Sequence, residues 1–117
     1  MKRMAGMRIL VLEDEPIIAM ALEDAIEEAG AVPLIAGSIE QAEAILAGSQ
    51  VDIAVLDVNI HGKQSYGIAA DLGRRCIPFV FASGYGNTVH PPEFAAVPTV
   101  GKPYQIASIA EVLAIQI

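Results

Sequence analysis

The sequence predicts an α/β domain built on a doubly wound, five-stranded parallel sheet. Short apolar runs alternate five times with amphipathic stretches along 117 residues, the pattern of strands that return through helices. The run Ile53-Ala54-Val55-Leu56 is apolar without alternation, as expected of a strand buried on both faces. Hydrophobic residues make up 54% of the chain and aromatics only 5%, an aliphatic balance that suits strands sandwiched between helices.

The elements follow in order. Arg8 to Leu12 reads as the first strand and ends on Glu13-Asp14-Glu15. Pro16 to Ala29 reads as a helix, with Pro16 suited to its first turn. Ile18, Ala21, Leu22, Ala25, Ile26 and Ala29 form one apolar stripe, and Gly30 supplies a stop. Val32 to Ala36 is a second strand whose Pro33 suits a sheet edge. Ser38 and Gln41 have capping-box spacing and open a helix that runs through Leu46 and stops at Gly48. Asp52 to Asp57 is the third strand. Ser65 to Arg75 reads as a weaker helix, diluted by Gly67 and Gly73. Pro78 to Ala82 and Val97 to Gly101 complete the strands, and Ile106, Ile109, Ala110 and Leu113 mark a last helix. Residues 1–117 form one expected domain, with residues 1–7 as a flexible tail.

Charge and composition exclude several functions. The formal net charge of -7 disfavours nucleic acid and anionic membranes as partners. The apolar run after the basic start is too short for a signal-peptide core, and no stretch is long enough to span a membrane. The single cysteine, Cys76, forbids an internal disulfide and fits a cytoplasmic setting. A buried or half-buried thiol at a helix end is the expectation for it.

Ligands of doubly wound sheets sit beyond the carboxyl ends of the strands. There the sequence delivers Glu13 and Asp14 from the first strand, Asp57 from the third, Ser83 from the fourth and Lys102 from the fifth. Two carboxylates ~5 Å apart repel by about 3 kcal/mol at an effective dielectric near 20, so three acids need compensating charge. Lys102 can supply one positive charge and an oxygen-loving Mg²⁺ ion two more. Held ionised, Asp57 can attack phosphorus as a nucleophile, with metal and lysine stabilising the transferring group and Ser83 donating a hydrogen bond to it. Each residue alone reads as an ordinary strand-end or surface group. The joint arrangement on four strands carries the signal.

Over nearly its whole length the chain resembles a response-regulator receiver domain. Ile9-Leu10-Val11-Leu12-Glu13-Asp14-Glu15 resembles the family's first strand and acidic pair, and Asp57-Val58-Asn59-Ile60-His61-Gly62 its phosphoacceptor segment. Ser83 stands at its Thr/Ser position and Lys102-Pro103 at its Lys-Pro. The resemblance implies a CheY-like, flavodoxin-like fold with strand order 2-1-3-4-5. It further implies phosphorylation of Asp57 and Mg²⁺ held by Asp14, Asp57 and the backbone carbonyl of Asn59, with Glu13 acting through water. The implied donor is a histidine kinase or histidine phosphotransferase. The side chains of Asn59 and Tyr85 lie where the family tunes dephosphorylation.

Pro78-Phe79-Val80-Phe81-Ala82-Ser83-Gly84-Tyr85-Gly86 resembles the motif of FATGUY-type receivers, largely stand-alone regulators, with serine for the usual threonine. Thr99 occupies the position of the family's aromatic switch, and His61 a position where proline is common. Gly84, Gly86, Pro91 and Pro92 predict a short or irregular fourth helix. His61 and His90 are expected as solvated loop histidines. The chain ends just after its last expected helix, so output is expected through contact with a downstream protein of unknown identity. Exposed apolar residues such as Ile117 are available to a homodimer or partner surface. Rival readings are a pseudo-receiver that binds without phosphorylation and a metal-dependent phosphohydrolase. The latter would need an acid where Asn59 stands.

Overall fold

A computed structural model describes residues 5–83, 91–94, 97 and 99–101. Five strands, β1 (Arg8–Leu12), β2 (Val32–Ala36), β3 (Ile53–Asp57), β6 (Phe79–Ser83) and β7 (Thr99–Gly101), form one parallel sheet in the order β2-β1-β3-β6-β7. This is the expected 2-1-3-4-5 order. Two further strands of two residues each, β4 (Asn59–Ile60) and β5 (Lys63–Gln64), make a separate antiparallel hairpin directly after β3, which the periodicity did not reveal.

Three helices are described: α1 (Pro16–Glu28), α2 (Ile39–Gly48) and α3 (Tyr66–Arg74). α1 packs on Ile9, Val11, Ile53, Val55, Val80 and Ala82 from one face of the sheet. α2, α3 and a turn at Pro92–Phe94 pack on the other, against Leu10, Leu12, Ala54, Leu56, Phe79 and Phe81. Alternate residues of β1 and β3 thus serve opposite layers, and every residue of β3 is buried. All three phenylalanines meet in the second layer. Tyr66 stacks on Phe94 at 5.6 Å between ring centroids, and Phe81 meets both edge-on at 5.5 and 5.8 Å. That geometry adds to the area these rings bury, and the same burial raises the Tyr66 pKa above its ordinary value.

Pro33 lies on the edge strand as expected. Val32 N–H donates to Met7, and the Ala36 carbonyl accepts from Glu13, so even-numbered β2 residues pair with β1. Pro33 then faces outward, where its missing N–H costs no ladder bond and withholds a donor from any further strand. Residues 6 and 7, part of the expected tail, join the fold: Gly6 N–H donates to Gly30, and Met7 packs under α1.

The helix ends explain two departures. On α1 the buried residues are Ala19, Leu22 and Ile26, so Ala21 turns outward and Ala19 takes its place in the stripe. Ser38 caps α2 by accepting from Gln41 N–H at 3.1 Å, but the Gln41 side chain reaches back to Gly37 N–H at 2.6 Å. Ser65, at the N-cap position of α3, is fully buried and its hydroxyl caps nothing. α1 and α3 both end in Schellman motifs. In α1 Gly30, at φ 84°, holds the left-handed position, and Ala31 N–H returns to Ile26. In α3 that position is Cys76, at φ 57°, with its N–H on Gly73 and Ile77 N–H on Leu72. The cap turns Cys76 outward, so the thiol is exposed, which corrects the expectation of a buried one. The proposed fourth helix falls mainly on residues 84–90, outside the described residues, as do Tyr85, His90, Lys102 and the last helix. Among the described residues no helix is long and apolar enough to cross a membrane.

Two outcomes follow from this packing. Leu72→Ala, at a fully buried α3 position, should cost about 2–5 kcal/mol of unfolding free energy in urea titrations. Cys76→Gly should raise it by about 0.5–1 kcal/mol, because glycine takes the left-handed C-cap without a Cβ penalty.

Candidate functional site

β1 and β3 are neighbours in register, Leu12 opposite Leu56. Their carboxyl ends therefore deliver Glu13, Asp14 and Asp57 to one spot, where one carboxylate oxygen from each lies within 4.8 Å of the others. Sheet topology, rather than nearness in sequence, builds the cluster. Glu13 is 1% exposed and Asp57 8%, whereas the Asp14 side chain is 22% exposed. Two acids are thus set in the protein and one faces water.

The local backbone supports all three. Glu15 N–H donates to Glu13 Oε2 at 3.1 Å. Asn59 N–H donates to Asp57 Oδ1 at 3.3 Å, and His61 N–H to Asp14 Oδ2 at 2.9 Å. These donors orient the carboxylate oxygens they meet. His61 is exposed as expected, but it sits in a hairpin turn and is not merely solvated. Its ring Nε2 lies 3.2 Å from the Gly37 carbonyl and Nδ1 3.8 Å from Asp14 Oδ2.

The donor set is chemically apt for a hard cation. Mg²⁺ binds oxygen at about 2.0–2.1 Å, so opposite ligands lie about 4.2 Å apart. A spread of up to 4.8 Å closes by a small inward movement or by one acid acting through water. Asn59, which follows Asp57 by two residues, lies at the start of β4 with its side chain exposed. Ser83 ends β6, pairing in register with Gly101 one residue short of Lys102. The backbone therefore places Ser83 on the same sheet edge as the acids, while Lys102 lies outside the described residues. An apolar groove of about 490 Å³ between α3 and the Pro92–Phe94 turn includes Phe79, at the opposite end of β6, and none of Glu13, Asp14 and Asp57.

The hairpin is what sequence reasoning missed. His61-Gly62 carried a signal: both take positive φ, 49° and 80°, as a two-residue type I′ turn requires, with glycine in its second position.

Comparison with known proteins agrees with this geometry. The solution structure of SdrG from Sphingomonas melonis Fr1 superposes with a TM-score of 0.82 at 36% identity, covering 95% of this chain and 96% of that one. The BeF3-activated conformation of SdrG (Pseudomonas melonis Fr1) gives 0.78 at 36% identity, covering 97% and 98%. The response regulator TrrA from Thermotoga maritima, in complex with Mg²⁺-BeF, gives 0.80 with 95% and 99% covered, and at 21% identity shows likeness of fold. The transcriptional regulatory protein AruR of Pseudomonas aeruginosa is 37% identical over 70 residues, 56% of this chain and 29% of AruR, so the match spans less than a third of that relative. No family model matches the chain. A receiver-type strand order, an acidic cluster on the β1 and β3 ends, and full-length likeness to SdrG place this chain in the family of CheY-like response-regulator receiver domains.

Proposed function

We propose that the chain works as a stand-alone phosphoacceptor in a two-component phosphorelay, taking a phosphoryl group on Asp57 from a phosphohistidine. The observation that carries this reading is the convergence of Glu13, Asp14 and Asp57 within 4.8 Å at the carboxyl ends of two parallel strands. The FATGUY-like stretch from Pro78 to Gly86 supports the stand-alone role. Output then runs through contact with a downstream protein, in a cytoplasmic setting.

In the transfer, a carboxylate oxygen of Asp57 attacks phosphorus in line with the donor. The P–N bond breaks, its electron pair returns to the donor imidazole, and an acyl phosphate forms on Asp57. Asp14, Asp57 and the Asn59 carbonyl would hold Mg²⁺, with Glu13 through water, and the ion would offset negative charge on the phosphoryl oxygens. Asn59 N–H keeps one Asp57 oxygen occupied and so orients the carboxylate. The buried strand below excludes water from one side of it. Ser83 donates a hydrogen bond to a phosphoryl oxygen, and Lys102 contributes its positive charge.

Incubation with a small phosphoramidate or acyl phosphate and Mg²⁺, followed by intact-mass measurement, should add one phosphoryl group. Asp57→Asn should abolish the gain. An unmodified protein with every donor would instead favour a pseudo-receiver, and multiple turnover of a phosphorylated metabolite an enzyme. Without metal, Asp57→Asn should raise the melting temperature by at least a few degrees, since relief of even about 1 kcal/mol of the roughly 3 kcal/mol pairwise repulsion shifts a domain of this size by about 4 °C. Mg²⁺ at 100 times its dissociation constant should stabilise the wild type by about 2.7 kcal/mol and the variant by much less, measured by calorimetry.

A further inference from the structure

We infer that the start of α3 holds a buried water molecule, which bridges the Ser65 hydroxyl to the Ile68 N–H in the first turn of the helix. This site is independent of the metal and phosphoryl chemistry at Asp57.

The two N-cap serines of the domain behave differently. Ser38, at φ -148° and ψ 162°, has extended backbone, and its Oγ accepts from Gln41 N–H at 3.1 Å. Ser65 stands at the same position of α3 but at φ -87° and ψ 12°. Its N–H is drawn back to the Val58 carbonyl at 2.9 Å, across the open end of the β4–β5 hairpin. From this backbone the hydroxyl makes no cap bond, although an N-cap side chain ordinarily accepts from the second or third residue of its helix.

Two buried polar groups are left at one end of α3. Ser65 is 0% exposed, and its hydroxyl has no hydrogen-bond partner. The first N–H groups of a helix have no partner within it. In α3 the first helical bond runs from Ala69 N–H to the Ser65 carbonyl at 3.1 Å. Among the described residues nothing accepts from Gly67 or Ile68 N–H. Gly67 is exposed and meets solvent, but Ile68 is 3% exposed. A buried N–H and a buried hydroxyl, both unpaired, each cost free energy comparable to a lost hydrogen bond.

Water is the ligand whose chemistry fits this pair. An N–H needs an acceptor, and a hydroxyl can donate or accept. One water oxygen accepts from Ile68 N–H and shares a second hydrogen bond with Ser65 Oγ, which gives it the two partners a buried water requires. A cation would be repelled by the positive end of the helix. An anion would suit that end, but it would have to leave solvent for a place beside Val58 and Ile68, both in the apolar core, at a large desolvation cost. A side chain at Gly67 would meet nothing within 4 Å, so the helix start is open to solvent on that side. The bound water takes in α3 the part that the Ser38 hydroxyl plays in α2.

NMR on the full chain tests the site. Water-to-amide cross-relaxation should show a long-lived water at Ile68 N–H in the wild type and none in Ser65→Ala. Oxygen-17 relaxation dispersion should count about one long-lived water fewer in the variant. The variant's melting temperature should fall by about 4 °C, the shift that one net hydrogen bond gives a domain of this size. A wild type without a long-lived water at Ile68 overturns the inference, as does a variant that keeps it. A variant melting at or above the wild-type temperature also overturns it, because deleting a bare unpaired hydroxyl relieves its cost. Should Ser65→Ala not fold, the wild-type cross-relaxation alone decides.

Discussion

Burial of β3 on both faces and both edges is the constraint from which the rest of the molecule follows. Its five residues are all buried, with β1 and β6 hydrogen-bonded on either side. Ala54 and Leu56 serve the α2–α3 layer, and Ile53 and Val55 the α1 layer. Such a strand can exist only at the centre of a parallel sheet covered by helices on both sides. Its last residue is Asp57, so the core itself carries an acid to the rim and holds it at 8% exposure. The same logic on β1 sets Glu13 almost fully in the protein. Burying like charges side by side is unfavourable. The apolar layers beneath must offset that cost, and Tyr66 and the phenylalanines add their area to the layer under α2 and α3.

How much of this was legible in the sequence depends on the range of the interaction that decides each feature. The five strands of the main sheet, the edge position of Pro33 and the Ser38 cap are set by residues within a few positions of one another, and these were legible. The acids of the cluster were legible as strand-end residues because a parallel sheet brings all its carboxyl ends to one rim. The stripe on α1 was off by one member, since Ala19 and Ala21 differ little in hydrophobicity and only the packed sheet chooses between them. The β4–β5 hairpin escaped because two-residue strands are too short to show a period. The bond from His61 to Asp14 spans 47 residues, and no local pattern encodes it.

Two non-glycine residues in left-handed conformation share this origin. Sequence logic assigns such positions to glycine, and Gly30 and Gly62 obey it. Cys76 and His61 do not. At Cys76 the backbone must reverse after α3 so that Ile77 can enter β6, and two Schellman bonds hold the turn although the residue is not ideal for it. The thiol's exposure is a by-product of that cap. At His61 the turn must reverse the chain within two residues so that Ser65 returns to Val58 and α3 can start. In both cases tertiary geometry overrides local preference, and the cost is borne by a single residue.

The hairpin also ties together parts of the domain that the sheet leaves separate. Its backbone donates to acids from β1 and β3, its Ile60 side chain enters the core, and Lys63 and the His61 ring reach the start of α2. Any change of charge at Asp57 alters what Asn59 N–H faces. The start of α2 is in this way joined to the acidic cluster by contacts that its place in the strand order does not suggest.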